Sequence, residues 1–262
     1  DEASTRCRCG ESGWDNSPRF DHAGPDDAVD LCAFVVNELE VLARMAAQLG
    51  RNAAESRHTA RKEELVQRIN DFMWCEEDGL YYDLDRNGNH LRFRTAACFL
   101  PMTAGIPDDE RARQLVANLT DASTFWTRVP VPSMASSEAD YEKDMWRGPT
   151  WININYLIVD GLRRYGHADV AREIVDRTMA ETARWYERTG CIMEYYDCEG
   201  VEDPRRMLRK GSRTEGIRVI RDYGWSAALF VAFAHERHAS AEVGERFPRK
   251  KTDLYCRHSP KG

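Results

Sequence analysis

The sequence predicts an all-α chain, and three observations carry that prediction. Apolar residues recur at intervals of three and four along most of the 262 residues. Strand signals are confined to one short stretch. Short and long connections alternate, as they do where helical hairpins pack side by side around a ring. The length is enough for one large domain with a sizeable core.

The elements follow in order. Val29, Cys32, Val36, Leu39 and Leu42 mark the first helix. Asp26 and Asp27 stand before it as cap and first-turn acids, and Gly50 is its stop signal. Leu65, Ile69 and Phe72 mark a second. Tyr81 to Leu84 and His90 to Phe93 flank Asn87-Gly88, the signature of a small β-hairpin. A short third helix covers Thr95 to Thr103, and Pro107-Asp108-Asp109-Glu110 opens a fourth that runs to Leu119. From Asp121 to Arg147 the chain is proline-bearing and aperiodic, and loops of that length in compact domains are often functional. Trp151, Ile154, Ile158 and Leu162 carry a fifth helix ending near Gly166. Val170, Ile174, Met179 and Ala183 carry a sixth, and Trp225, Leu229 and Phe233 the last. Residues 239–262 are polar and basic without a period and read as a disordered tail.

Composition narrows the function classes. The formal charge is −7 with both signs interspersed, which argues against a nucleic-acid surface. The short basic runs Arg209-Lys210 and Arg249-Lys250-Lys251 read as solvated loop and tail. No apolar run approaches the roughly 20 residues of a membrane span, and no signal peptide is visible, so a cytoplasmic protein is expected. Eight irregularly spaced cysteines, with Cys7 and Cys9 in a C-x-C pair, match neither a disulfide framework nor a zinc knuckle. Neither a metal nor a cofactor is expected. The sequon Asn118-Leu119-Thr120 has meaning only in a secreted protein.

Three islands concentrate Trp, Tyr, Asn, Arg and acids in loops and helix starts: Glu11–Phe20, Trp146–Tyr156, and Met193–Asp197 with Trp225 further on. Aromatic rings give stacking surface for the C–H faces of sugars, and the polar residues bond their hydroxyls. Cleaving a glycosidic bond requires two carboxyl groups, and Asp15 and Glu194 supply one from each of two islands. Each residue also has an ordinary reading. Asp15 could cap a turn before Asn16-Ser17-Pro18. Trp151 could be pure core, Glu194 a surface acid beside a Tyr pair, and Arg147 a structural ion-pair partner. Together the islands favour a carbohydrate site, but spacing does not name the reaction.

The islands do resemble a known clan. ESGWDNSPRF (Glu11–Phe20), MWRGPTWININY (Met145–Tyr156), IMEYYD (Ile192–Asp197) and YGWSAALF (Tyr223–Phe230) are similar, in this order, to segments of family 63 α-glucosidases, family 37 trehalases and bacterial glucosylglycerate and mannosylglycerate hydrolases. The similarity runs from about Glu11 to Glu236. It implies an (α/α)6 toroid of helical hairpins and an inverting hydrolase of a small α-glycoside or oligosaccharide. Asp15 would be its general acid and Glu194 its general base. It also implies that Trp14, Asn16, Arg19, Trp146, Arg147, Gly148, Trp151, Asn155, Tyr195 and Trp225 line the sugar pocket.

Three departures stand out. Arg6-Cys7-Arg8-Cys9-Gly10 precede Glu11 where the resemblance leads one to expect an aromatic, proline-containing lead-in. The segment Cys198–Asp222 is longer and more basic than the Gly-rich link expected there. About seven helices are counted where six hairpins need twelve, so a partial barrel with exposed apolar faces is expected. That leaves a non-catalytic carbohydrate-binding remnant as the alternative to an enzyme. A sugar epimerase would favour histidine as proton shuttle, and all seven histidines lie outside the islands.

Overall fold

The structure is a computed structural model that describes residues 12–21, 24–211 and 218–246, with side chains to residue 237. Cys7, Cys9, Glu11, Cys256 and residues 247–262 lie outside the described residues.

The helices are α1 (Val29–Gln48), α2 (Asn52–Phe72), α3 (Asp109–Leu119), α4 (Ile152–Arg164), α5 (Ala168–Thr189) and α6 (Gly224–Arg246). A 3-10 helix, Ala96–Ala104, stands between the first and second halves. Two helices show the apolar stripe that the period requires most clearly. In α1 Val29, Cys32, Ala33, Val36 and Leu39 are buried, and in α3 Ala112, Leu115, Val116 and Leu119. The 3-10 helix is apolar all round and every residue in it is buried. It packs against α1 on one side and α4 on the other. Contacts therefore pass from the α1–α2 hairpin through the 3-10 helix to the α4–α5 hairpin, with α6 on α4 and α5.

Several local expectations are corrected. Asp26 and Asp27 do not cap α1. Their backbone N–H groups donate to the Leu84 carbonyl, and Ala28, which has no capping group, is the N-cap. Asp83, distant in sequence, accepts the Val29 N–H instead (2.9 Å). The expected hairpin forms between β3 (Asp83–Leu84) and β4 (His90–Leu91), with Gly88 at φ +80° in its turn. A second, β1 (Trp74–Cys75) with β2 (Leu80–Tyr81), was not foreseen, because strands of two residues carry no period. Phe72 was placed on an apolar face but is exposed. The final helix continues to Arg246, so residues 239–246, expected in the tail, are helical.

Between α3 and α4, and again between α5 and α6, most of the chain is irregular. These loops are knit by isolated bridges: Thr95 to Met134, Pro132 to Thr150, Thr150 to Tyr196, Asp144 to Leu208 and Met193 to Arg221. They bring the three islands together at one end of the helical layer. At the edges of the arc apolar side chains are exposed, Val41, Leu42, Met45 and Leu49 on and just after α1 and Trp225 and Val231 on α6. No helix among the described residues is long and apolar enough to cross a membrane.

Candidate active site

Asp15 sits in a tight turn that the surrounding residues hold from all sides. The Ser17 N–H closes the turn onto the Trp14 carbonyl (2.9 Å). Asn16 ties it to the second island: its Oδ1 accepts the Trp146 N–H (3.0 Å), and its carbonyl accepts from Arg147 (3.1 Å). Arg19 anchors the following 3-10 turn. Its guanidinium forks onto Asp83 (2.7 and 2.8 Å) and reaches Asp30 (2.7 Å), with all three side chains buried. Burial opposes the Arg19 charge, but the two carboxylates outweigh it and raise the pKa well above the ordinary value. Asp15 itself stays partly open, its side chain 28% exposed.

Glu194 is buried at 1% exposure, so it is no surface acid. Its Oε2 accepts from Arg209 Nε (3.1 Å) and from the Ile220 N–H (3.2 Å). These donors compensate a charge that burial would otherwise penalise. Its backbone is fixed too: the N–H donates to the Ile220 carbonyl, and its carbonyl accepts from Ser226 (3.0 Å).

Aromatic rings connect the islands. Trp14 packs on Trp146 (centroids 4.7 Å apart), Trp146 stacks flat on Trp151 (3.8 Å, 4°), and Trp151 meets Tyr195 (4.9 Å). Each ring is buried, so the series is a wall behind the carboxylates, with mainly its own members as stacking partners. The Trp151 indole donates to the Met145 carbonyl (2.8 Å), in keeping with its core reading. The Tyr195 hydroxyl donates to the Leu208 carbonyl (2.6 Å).

Not every expected pocket residue lines the space. Arg19 is spent on Asp30 and Asp83, so it positions the acid-bearing turn. Asn155 is fully buried, bonded to Val131, Pro130 and Thr178, and braces the loop that precedes α4. Arg147 pairs with Asp21 (2.8 Å), which is its ordinary reading. Trp225 is 54% exposed and outside the aromatic series. Gly148 supports the loop by close approach: a Cβ there would lie 2.5 Å from the Glu142 carbonyl oxygen and 2.6 Å from the Tyr141 ring. Gly148→Ala should therefore cost about 1–3 kcal/mol of stability, read by urea unfolding.

Sequence reasoning missed four residues. Tyr223 feels both carboxylates: burial raises its pKa, Glu194 and Asp15 add to the rise, and Arg209 opposes it. Asp144 is buried with one carboxylate oxygen unpartnered. Arg209 and Lys210 were read as solvated loop, yet Lys210 Nζ lies 2.5 Å from Asp15 Oδ2 while Arg209 holds Glu194. The signal for this pair was present in the sequence as the basic character of the Cys198–Asp222 segment.

The mannosylglycerate hydrolase MGH1-like glycoside hydrolase domain matches residues 5–226. The chain belongs to this MGH1-like glycoside hydrolase family. Relatives include the mannosylglycerate hydrolase of Rubrobacter radiotolerans, 35% identical over 72% of this chain and 39% of that protein. The periplasmic trehalase of Pseudomonas aeruginosa is 28% identical over 82% of this chain and 39% of its own length. Among solved structures, the family 63 mannosylglycerate hydrolase of Thermus thermophilus in complex with glucose superposes with a TM-score of 0.58 at 29% identity, over 78% of this chain and 45% of that one. The same protein has been solved in complex with Tris. The neutral trehalase of Saccharomyces cerevisiae, 17% identical, shares the fold with a TM-score of 0.68 over 89% of this chain and 42% of its own. The helical arc is thus built as in the six-hairpin glycosidases, the toroid that the motifs implied. The chain spans about 39% of the length of these two curated relatives.

Proposed function

We propose that this chain carries the acid and base of an inverting α-glycosidase, with Asp15 as the acid and Glu194 as the base. The observation that supports it is the convergence of these two carboxylates, from islands far apart in sequence, on the adjacent residues Arg209 and Lys210 and beside the Trp14–Trp146–Trp151–Tyr195 wall. Asp15, at the tip of a braced and partly open turn, gives a proton to the departing glycosidic oxygen. Glu194, buried and held by Arg209 and the Ile220 amide, takes a proton from a water that attacks the opposite face of the sugar. The anomeric configuration then inverts. The names of its relatives direct the substrate choice to small α-glycosides such as mannosylglycerate and trehalose, and the resemblance of the motifs adds glucosylglycerate.

The test uses the natural full-length protein and these three glycosides, with the first-formed anomer followed by NMR. Turnover with inversion is expected, and Asp15→Asn should slow it by about 10²–10⁴-fold. A product that retains configuration would overturn the mechanism. Sugar binding without turnover would instead favour a carbohydrate-binding remnant.

A further inference from the structure

Both carboxylates are engaged by cations in this conformation. Arg209 and Lys210, adjacent on one strap, each take one of the two carboxylates. The strap is fastened at its backbone. The Leu208 N–H donates to the Lys143 carbonyl (3.2 Å), the Leu208 carbonyl accepts from Tyr195 (2.6 Å), and the Gly211 N–H donates to Asp144 (2.6 Å). Lys210 is held at φ +56°, a left-handed conformation that side-chain-bearing residues seldom adopt. Such outliers persist where surrounding contacts over-determine them, and here they present Lys210 to Asp15.

We propose that Met207–Gly211 is a self-closing latch, in which Lys210 blocks Asp15 until an incoming ligand displaces it. The inference rests on the role of Asp15 given above. A carboxyl engaged as the anion of a salt bridge has no proton to give a leaving oxygen. When Lys210 swings out, the Asp15 carboxylate takes one proton from solvent and can then donate it to the glycosidic oxygen. Lys210 rather than Arg209 is the moving part. Its side chain is 48% exposed, against 23% for Arg209. The strap backbone can stay fastened while a lysine side chain turns into water. The latch lowers apparent affinity by the fraction of molecules in which it is open.

Two measurements on the natural full-length protein test it. Reductive methylation of lysines, followed by peptide mass spectrometry, reports whether the pair forms. Lys210 should react severalfold faster in Asp15→Asn than in the parent, with Lys62, which pairs with Glu40 elsewhere, unchanged. Equal Lys210 rates would overturn the latch. Tris is a suitable ligand probe, being a cationic polyol that competes for the carboxylates, and its binding can be followed by tryptophan fluorescence. Lys210→Met should bind Tris at least about 5-fold more tightly than the parent, the competent fraction having risen. Unchanged or weaker binding would make Lys210 a ligand-contacting residue and end the latch proposal. Asp15→Asn placed on Lys210→Met should remove the gain. If it does not, Asp15 does not face the ligand, and the assignment of the acid itself fails.

Discussion

On the proposed mechanism, replacing Glu194 by Gln should lower kcat by about 10²–10⁴-fold in the natural full-length protein, because the change would remove the base and almost nothing else. Gln has the same shape, and its carbonyl oxygen can still accept the Ile220 N–H that now reaches Glu194 at 3.2 Å. The backbone bonds from Glu194 to Ile220 and Ser226 are untouched. What is lost is the negative charge, which in the proposed mechanism draws a proton from water, together with the partner of Arg209. Arg209 is partly exposed and can turn to solvent, so the loss of stability should stay near the roughly 0–1 kcal/mol typical of exposed pairs. A steady-state assay paired with a thermal melt separates the two effects. A variant with kcat close to that of the parent, and with an unchanged melt, would remove Glu194 from the mechanism. Ser226→Ala offers a contrast, since it removes a bond to the Glu194 backbone and leaves the carboxylate in place.

The helices and the meeting of the islands were legible in the sequence for different reasons. Helices show because burial repeats every three or four residues, and Val29, Cys32 and Val36 are buried as that rule demands. The islands show because polar and aromatic residues crowded into loops stand out from the helical period, although the structure packs the Trp14, Trp146, Trp151 and Tyr195 rings on one another. Partner choice left no such trace. Asp83 caps α1 and binds Arg19 from 54 and 64 residues away, a relation that no local pattern encodes. Arg19 and Asn155, side chains that suit a sugar pocket, proved to be bracing for the same reason. Phe72 follows the helical period but lies at the end of α2, where the neighbouring layer no longer covers it. Lys210 and Arg209 were misread because a basic pair in a loop is usually solvated, and only the fold shows carboxylates opposite them.

The bracing itself predicts the largest effect on stability. Arg19→Met should cost about 3–5 kcal/mol, the range for breaking a buried ion pair from one side. The guanidinium is 2% exposed, and Asp30 and Asp83 are each 3% exposed, so none of the three can reach water. One cation faces two anions, yet the balance is better than that count suggests. Asp30 lies in the first turn of α1 and Asp83 accepts the first N–H of that helix, so both carboxylates meet its positive end. Removing Arg19 leaves two buried negative charges with only that partial compensation. Arg19→Lys should recover little, because an ammonium cannot reproduce the fork that reaches Asp83 through two nitrogens and Asp30 through one of them. Denaturant unfolding reads the effect directly, and a loss below about 1 kcal/mol would show that the triad is not what holds this corner. Adding Asp83→Asn to Arg19→Met should restore part of the loss by removing one unpaired charge, although it weakens the acceptor for Val29. Because Arg19 braces the turn that carries Asp15, the same variant should lose activity beyond its unfolded fraction, which separates a positioning role from stability alone.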